Sequence, residues 1–278
     1  MNYILFDGPA RNNLLPFTFT RPVADIRIGI LTIREKWETF LESTTTTITE
    51  DYLSDKYPMV EMDETYEAIE FNEDIIKVEN TWDIFSKNGE AIQDDFNVIT
   101  KNRTSQPIPP SNNVIAPENI FIEEGAKLEF TTLNASNGPI YVGKDAEIME
   151  GSMIRGALAL CEGAKMKMGA KIYGPTTVGP HSKIGGEVNN SVIFGNSNKG
   201  HEGYLGNSVL GEWCNLGADT NNSNLKNNYA EVRLWDYQTE GFAKTGLQFC
   251  GLMMGDHSKC GINTRFTMDT HHETTKLK

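Results

Sequence analysis

Residues 142–188 read VGKDAEIMEGSMIRGALALCEGAKMKMGAKIYGPTTVGPHSKIGGEV. A large apolar residue returns every six positions: Val142, Ile148, Ile154, Leu160, Met166, Ile172, Val178 and Ile184. A second inward candidate follows each of them by four positions, and this set is mostly small: Ala146, Ser152, Leu158, Ala164, Ala170, Thr176, Ser182 and Val188. Because 38% of the chain is hydrophobic, eight hits in one register have a chance of about 0.38 to the eighth power. A period of six fits no helix, so the stretch predicts a repeat architecture.

A hexad of this kind is typical of one flat side of a triangular β-coil. Three hexads complete a turn, and successive turns stack as parallel strands about 4.8 Å apart. We expect the large residue to fill the interior and the small one to lie near a corner. Glycines fall near these corners, where left-handed backbone angles cost glycine little: Gly143, Gly151, Gly163, Gly169, Gly174, Gly179 and Gly185. The stretch therefore predicts a solenoid in which each coil covers the next.

These hexads resemble those of the left-handed parallel β-helix acyltransferases. The resemblance implies left-handed coiling, an exception to the usual right-handed crossovers, because periodicity alone does not give the hand. A β-helix of another type and a purely structural solenoid are the alternatives.

Composition narrows the class of protein. The 278 residues carry a formal net charge of −13, which disfavours nucleic acid as a partner. No apolar stretch approaches the roughly 20 residues of a membrane helix, and Asp7, Arg11 and Asn12 interrupt the early apolar run that a signal peptide would need. We therefore expect a cytoplasmic protein that binds neither nucleic acid nor membrane.

The four cysteines, Cys161, Cys214, Cys250 and Cys260, form no CxxC pair, and in the cytoplasm they are expected to be reduced and packed. The spacing of His257, Cys260, His271 and His272 matches no zinc pattern. The metal ligands, if there are any, are unknown from the sequence.

The first hundred residues predict an α/β domain. Tyr3 to Phe6 forms a buried strand that ends at Asp7-Gly8, and a helix runs from Val23 to Leu41. This layout is typical of a phosphate-binding first crossover. The helix would present one apolar face, made of Ile26, Ile30, Ile33, Trp37 and Leu41.

Further elements follow in the same region. Thr44 to Thr49 predicts a strand and Asp51 to Lys56 a short helix. Tyr66 to Phe71 and Ile75 to Val78 predict a hairpin. Thr81 is expected to cap a helix that starts at Trp82, with Ile84, Phe85 and Ile92 on its packing face.

The string FDGPARNNLLPFTFTRPVADIRIGILTIREKW, residues 6–37, resembles the start of the Bacteroidetes-type sugar nucleotidyltransferases in the bifunctional uridyltransferase/acetyltransferase family. These enzymes couple UTP to a sugar 1-phosphate. The resemblance implies that Asp7, Gly8 and Arg11 lie by the nucleotide and that Arg21 contacts a phosphate. The alternative is that Arg11 and Arg21 are surface residues of a scaffold.

The region is shorter than the nucleotidyltransferase domain of that family. The Met62-Asp63-Glu64 junction is the place where a segment looks absent, and no aspartate for a catalytic Mg²⁺ can be identified. We predict an α/β domain over residues 1–106, a proline-rich linker over 107–115, a β-helix over 116–266 and a polar tail over 267–278. Within the β-helix, Ile122, Ala126 and Leu128 give an early register that residues 133–139 interrupt.

After Val188 the hexads stop, and they resume in a shifted register with Tyr204, Leu210 and Leu216. The interruption, residues 197–206, predicts a protruding loop of the kind that carries function in solenoids. The stretch GHEGYLGNSVLGEWCNLGAD, residues 200–219, resembles the acetyltransferase signature of the same bifunctional enzymes.

That resemblance implies roles for three residues. His201 would be the general base that takes a proton from the sugar amine as it attacks the thioester of acetyl-CoA, a task for which imidazole is suited near neutral pH. Tyr204 and Asn215 would hold the sugar phosphate and the amine in line. Lys199 is either a phosphate contact or a surface charge, and Trp213 and Cys214 are expected to pack. The lysine that the signature places on the preceding coil is missing, since residues 189–191 read Asn-Asn-Ser.

Beyond the motif, Arg233 to Trp235 and Thr245 to Cys250 predict a hairpin-like excursion, and Met254, Cys260 and Phe266 predict two last hexads. Relatives continue into further coils that bind acetyl-CoA, and we expect these coils to be absent here.

The first functional hypothesis is a homotrimeric enzyme of UDP-N-acetylglucosamine synthesis. It would transfer acetyl groups from acetyl-CoA to an amino-sugar 1-phosphate, and nucleotidyl groups from UTP to a sugar 1-phosphate with Mg²⁺ if that activity is retained. One alternative is nucleotidyl transfer alone, from dTTP or UTP to glucose 1-phosphate, with a structural solenoid. The other is a catalytically inactive scaffold.

Overall fold

The six-residue register winds into three flat faces of parallel strands around a common interior. The structure, a computed structural model, describes residues 3–57 and 75–267. The predicted fold class is confirmed: a short α/β region precedes a parallel β-solenoid, an architecture consistent with the left-handed β-helix.

The solenoid has three faces, numbered in the order in which the chain first enters them. The first face contains β3 (Asn113–Ile115), β6 (Thr132–Asn134), β9 (Met153–Arg155), β12 (Lys171–Tyr173), β15 (Glu187–Asn189) and β18 (Tyr204–Gly206). The second face contains β4 (Ile120–Ile122), β7 (Ile140–Val142), β10 (Leu158–Leu160), β13 (Thr176–Val178), β16 (Val192–Gly195), β19 (Val209–Glu212) and β24 (Met253–Met254). The third face contains β5 (Lys127–Leu128), β8 (Glu147–Ile148), β11 (Lys165–Met166), β14 (Lys183–Ile184), β17 (Asn198–Lys199), β20 (Asn215–Leu216) and β25 (Lys259–Cys260).

The remaining strands lie at the end of the solenoid. β21 (Asn221–Asn222) and β26 (Arg265–Phe266) pair in parallel. β22 (Arg233–Asp236) and β23 (Gly241–Lys244) form an antiparallel hairpin within the excursion that leaves the stack after β21. The predicted excursion is present, but its returning strand is Gly241–Lys244 and not the stretch Thr245 to Cys250. The two last hexads are confirmed, with Met254 and Phe266 buried in the interior.

All sixteen inward candidates of residues 142–188 are buried, so both predicted sets are confirmed. Val142, Leu160 and Val178 stand directly above one another on the second face. Each coil removes the apolar surface of its neighbour from water. This burial stabilises the fold by roughly 1.5–3 kcal/mol for each large side chain, before the loss of conformational entropy is subtracted.

The corners use glycine for two different reasons. Gly163 has φ +61°, a left-handed conformation that glycine adopts at little cost. Gly179 has an ordinary φ, but a Cβ there would lie 1.9 Å from the carbonyl oxygen of Phe194. Other left-handed corner positions carry larger residues, including His181 and Trp213.

The first coils are more regular than the sequence analysis predicts. Residues 133–139 do not interrupt the stack, because Leu133 is buried on β6 opposite Ile154. The first strand, β3, falls inside the stretch predicted as a linker. Ile108 of that stretch packs against the interior of the solenoid.

The N-terminal region contains a small parallel sheet, β1 (Tyr3–Phe6) with β2 (Thr45–Ile48), and three helices, α1 (Ile33–Leu41), α2 (Asp83–Ser86) and α3 (Asn88–Ile99). Short 3-10 turns connect them: Pro9–Leu14, Phe17–Phe19, Val23–Asp25 and Asp51–Leu53, with a further one in the solenoid at Pro117–Asn119. The strand predicted over residues 44–49 is confirmed. The short helix predicted over Asp51 to Lys56 is a 3-10 turn over Asp51–Leu53. The strand β1, predicted to be buried, is only half-buried, with Phe6 71% exposed.

The helix predicted from Val23 to Leu41 is wrong in its first half. Gly29 has φ +78°, and the Asp95 carboxylate accepts from the backbone N–H groups of Ile30 and Leu31, so the chain turns before α1. A capping box between Thr32 and Glu35 then starts the helix at Ile33.

Two smaller predictions in this region also need correction. Thr81 does not cap the next helix, whose N-cap is Trp82; instead the Asp83 carboxylate accepts from the backbone N–H groups of Glu79 and Asn80. Residues 75–78 form no strand, and the other half of that predicted hairpin lies outside the described residues. The packing residues Ile84, Phe85 and Ile92 are buried as predicted.

The N-terminal region packs against the second face of the solenoid. The rings of Phe17 and Phe194 lie 5.2 Å apart. The Thr177 hydroxyl, which points outward from β13, donates to the carbonyl oxygen of Gly29 at 2.9 Å, and the Asn88 amide donates to the carbonyl oxygen of Pro175. Apolar and polar contacts together make the region a cover for this face.

A buried ion pair fastens this cover to the last coils. The Arg21 guanidinium lies 2.5 Å from the Asp256 carboxylate and 3.4 Å from that of Glu212, and the side chains of Arg21 and Asp256 are each only 3% exposed. Arg21 also lies over the ring of Phe194. The second oxygen of Asp256 accepts from the backbone N–H of Glu212.

We predict that Asp256→Asn lowers the free energy of unfolding by up to about 3–5 kcal/mol, because the buried Arg21 guanidinium keeps only the Glu212 carboxylate, at 3.4 Å, as a charged partner. Urea unfolding measures this loss. Lys165→Met is the control, since it breaks the half-exposed pair with Glu147 and should cost about 1 kcal/mol or less. Equal losses in the two variants would contradict the role assigned to the buried pair.

Candidate functional site

The stretch predicted as a protruding loop is part of the stack. Asn198 and Lys199 form β17, which pairs with β14 below it, so the predicted protrusion over residues 197–206 is wrong. The feature that departs from the regular coil is the next corner. Two residues, Gly185 and Gly186, separate β14 from β15, whereas four, residues 200–203, separate β17 from β18. We call residues 200–203 the wide corner.

The wide corner carries the histidine. His201 is exposed, and its corner joins the third face to the first face. The neighbouring coils hold the backbone of the corner: the carbonyl oxygen of Glu202 accepts from the Asp219 N–H at 3.1 Å, and that of Gly203 accepts from the Glu187 N–H. An exposed imidazole therefore stands on a fixed backbone, between strands that contribute Asn215 on one face and Tyr204 on the other.

Tyr204 points outward, which corrects the register predicted for this coil. Leu205 is the inward residue, opposite Val188. The Tyr204 hydroxyl accepts from the Asn224 amide at 3.0 Å. A Cβ at position 206 would lie 2.2 Å from the Tyr204 hydroxyl, so Gly206 leaves the space that the phenol occupies.

Side-chain amides surround the Tyr204 phenol. The Asn224 amide donates to the Asn207 carbonyl oxygen at 2.7 Å as well as to Tyr204, and the Asn189 side chain lowers the pKa of the phenol. Burial raises the pKa of Tyr204, which keeps the hydroxyl protonated near neutral pH. Asn189, Asn207 and Asn224 were not predicted to form a cluster with Tyr204, because they come from successive coils. The recurrence of asparagine about seventeen residues apart was the available signal.

Asn215 lies on the third face beside another asparagine. Asn198 and Asn215 are register partners on β17 and β20, and the Asn198 amide donates to the Asn215 carbonyl oxygen at 2.9 Å. Both side chains are partly exposed. The pair offers donor and acceptor groups to a polar ligand one strand away from the wide corner.

Lys199 lies inside the solenoid. It stands opposite Ile184 in the inward column of the third face, and it is only 2% exposed. The ammonium donates to the carbonyl oxygens of His201 at 2.6 Å and Gly185 at 3.1 Å. The structure corrects both alternatives for this residue, because an inward ammonium is neither a surface charge nor placed to contact a bound phosphate.

Burial lowers the pKa of Lys199 to about 8, while the carboxylates of Glu202 and Asp219 act in the opposite direction. Lysine ordinarily titrates near pH 10.4. The site therefore contains an ammonium that is more acidic than that of an ordinary lysine, directly beneath His201.

The residues predicted to bind nucleotide have partners within the protein. The Arg11 guanidinium lies 2.6 Å from the Asp7 carboxylate and also donates to the carbonyl oxygen of Thr18. Asp7 accepts in addition from the backbone N–H of Val23. Arg21 is the partner of Asp256. Both arginines are buried, so the alternative that they are surface residues of a scaffold is wrong. Contact of Arg11, Arg21 or Gly8 with a nucleotide stays a prediction.

Trp213 is 53% exposed and stacks on His257, with ring centroids 6.5 Å apart, so its predicted packing role is wrong. Cys214 is buried as predicted, and all four cysteines are unpaired. Within residues 3–57 and 75–267, no cluster of three or more His, Cys, Asp or Glu side chains is arranged to hold a metal ion, and no helix could cross a membrane. His271 and His272 lie outside the described residues.

Comparison with known proteins finds a family match in the N-terminal part of the chain. A family model for sugar nucleotidyl transferases matches residues 3–67 and 61–104. The N-terminal region is similar to that family. The two matched segments meet at the Met62-Asp63-Glu64 junction, where the sequence predicts a missing segment.

Curated relatives carry names that join two activities. The bifunctional protein GlmU of Methanocaldococcus jannaschii is 34% identical over 82 residues, which is 29% of this chain and 19% of the relative. A bifunctional sugar-1-phosphate nucleotidylyltransferase/acetyltransferase of Sulfurisphaera tokodaii is 28% identical over 156 residues, which is 55% of this chain and 36% of the relative. GlmU of Methanococcus maripaludis is 31% identical over 80 residues, or 29% of this chain and 19% of the relative. The similarity connects the chain to the transferases of sugar-nucleotide synthesis.

The lowered pKa of Lys199 predicts a pH dependence of stability. Between a folded-state pKa of about 8 and the ordinary value, the unfolded chain binds more protons than the folded chain, so stability rises with pH. From about pH 7.5 to 9 the group should add about 1 kcal/mol to the free energy of unfolding. Urea unfolding of the wild type and Lys199→Met measures it as a difference, which cancels the other titrating groups. A difference that does not change with pH would contradict the assignment.

Proposed function

We propose that the solenoid transfers an acetyl group from acetyl-CoA to the amine of an amino-sugar 1-phosphate at the wide corner. The observation that carries the proposal is the placement of His201 between the Asn198–Asn215 pair and the Tyr204 cluster. Acetyl transfer is also supported by the name of a curated relative, a bifunctional sugar-1-phosphate nucleotidylyltransferase/acetyltransferase. The product would serve the synthesis of UDP-N-acetylglucosamine.

The chemistry needs one base and one leaving group. The amine nitrogen attacks the thioester carbonyl carbon, and the His201 imidazole takes the proton that the nitrogen loses. The tetrahedral intermediate collapses as the C–S bond breaks, and the imidazolium returns its proton to the departing CoA thiolate. The products are the N-acetyl sugar 1-phosphate and free CoA thiol, and the histidine is regenerated.

The polar side chains on either face supply orientation. The Asn198–Asn215 pair and the Tyr204 hydroxyl present amide and phenol groups that suit sugar hydroxyls and phosphate oxygens. The phenol is itself held by Asn224, so it offers a fixed hydrogen-bonding group to the substrate. Binding energy from these contacts would align the amine with the imidazole.

A homotrimer is part of the proposal. Large apolar side chains are exposed along the first face and the corner before it, notably Ile115, Met153, Phe130 and Met168. Exposed apolar patches of this kind mark association surfaces. Light scattering at several protein concentrations tests whether the chain forms a trimer. The cytoplasmic location stays a prediction.

Nucleotidyl transfer from UTP or dTTP to a sugar 1-phosphate is the second candidate, and the match of residues 3–104 to the sugar nucleotidyl transferase family supports it. The internal partners of Arg11 and Arg21 weigh against it. If neither activity is present, the scaffold hypothesis is the one that survives.

We expect His201→Ala to lower the rate of acetyl transfer by about 10²–10⁴-fold, the usual loss on removing a general base. The assay is thiol release from acetyl-CoA with glucosamine 1-phosphate. His181→Asn is the matched control, because His181 is also an exposed corner histidine but lies at the corner between the second and third faces. Equal rates in wild type and His201→Ala would exclude His201 as the base.

Pyrophosphate release separates the two candidates. If the N-terminal region is active, UTP or dTTP with a sugar 1-phosphate should yield pyrophosphate at a rate that His201→Ala does not change, since the two reactions would use different parts of the chain. Pyrophosphate formation without any thiol release would favour nucleotidyl transfer alone.

A further inference from the structure

The inward column of the third face contains one charged residue among apolar or weakly polar ones. From the first coil onward its members are Leu128, Ile148, Met166, Ile184, Lys199, Leu216 and Cys260. Six of these side chains are apolar or weakly polar, and the fifth in order ends in an ammonium. The exception occurs in the coil that carries His201.

The position gives the ammonium little to compensate its charge. In the part of the chain that the structure describes, Lys199 forms no ion pair, and its ammonium donates to two backbone carbonyl oxygens. Transfer of a charged group out of water is costly unless it is paired. Lysine is therefore a poor choice for the stability of this column, and an apolar residue of similar length would fill the same space.

The two carbonyl oxygens explain what the side chain does instead. One belongs to His201 in the wide corner and the other to Gly185 in the corner of the coil below. The wide corner is two residues longer than the one beneath it, so its backbone cannot repeat the stacking of the shorter corner. A single ammonium inside the solenoid links the two corners across this mismatch.

We propose that Lys199 is a positioning residue that fixes the backbone of His201 from inside the solenoid. The inference rests on the proposed function only for its catalytic consequence, because the anchoring itself is a property of the fold. Hydrogen bonds from a charged donor are about twice as strong as neutral ones. Loss of the ammonium should therefore loosen the corner without emptying the interior, provided that an apolar side chain takes its place.

Groups on every side of Lys199 bear on its charge. Glu202 and Asp219 are the carboxylates that act on it. His201 lies in the same corner, and Lys167 and Lys183 lie outside the solenoid next to Gly200. Variants that leave these neighbours unchanged isolate the effect of the ammonium.

Lys199→Met tests the inference, with Ile184→Met as the matched control in the same column one coil below. The first measurement is amide hydrogen exchange in the full-length protein at Tyr204 and Asp219, whose N–H groups bond to Asn221 and Glu202 around the wide corner. Relative to the wild type, we expect amide exchange to be at least tenfold faster in Lys199→Met and unchanged in Ile184→Met. We also expect the urea midpoint of Lys199→Met to equal or exceed that of the wild type. Unchanged exchange in Lys199→Met would overturn the inference.

The catalytic consequence is read separately. If acetyl transfer is present, Lys199→Met should lower kcat at least tenfold with little change in KM for acetyl-CoA, and Lys199→Arg, which keeps a cationic donor, should recover part of the loss. Faster exchange without turnover in any variant would refute the proposed function and leave the anchoring role standing. Unchanged exchange together with a full loss of turnover would refute the anchoring role and leave the proposed function standing.

Discussion

Parallel strands can stack into a solenoid only if every coil presents the same inward register, and this constraint governs the whole molecule. The interior admits only the inward-facing side chains of each coil, and the coils above and below cover each of them. A change of register would expose apolar side chains and unpair backbone groups. Departures from the repeat are therefore confined to the corners, to the excursion after β21, and to the polar residues Lys199 and Asn222, which replace apolar ones.

Asn222 shows how an interior polar group is accommodated. Its side chain lies in the inward register, accepts from the Gly206 N–H and donates to the Gly206 carbonyl oxygen. An amide can satisfy a backbone donor and acceptor at once, so burial leaves no group unpaired. Lys199 contrasts with it, since an ammonium has only donors and carries a charge.

The solenoid could be predicted from the sequence because its register is local. Eight apolar residues at a fixed spacing specify which side chains face inward, and the structure follows them from Val142 to Ile184. The wide corner could not be placed in the same way. Lys199 broke the apolar register, so the coil that contains it looked like a loop, and the next inward residue was taken as Tyr204 instead of Leu205.

The N-terminal region was harder to predict because its contacts are distant in sequence. Ile26 and Ile30 have the spacing of a helix face, yet both face the second face of the solenoid, in different clusters. Arg21 has the sequence context of a phosphate ligand, but its partner is Asp256, more than two hundred residues away. A capping box at Thr32 and Glu35 was the local signal that would have placed the start of α1 correctly.

The account rests on His201 facing a bound amino sugar from the wide corner. A crystal structure with CoA and glucosamine 1-phosphate tests this most directly. The account predicts that the sugar nitrogen lies about 3 Å from an imidazole nitrogen of His201, with the sugar in contact with Asn215 or Tyr204. Ligands bound with both compounds away from the wide corner would contradict it.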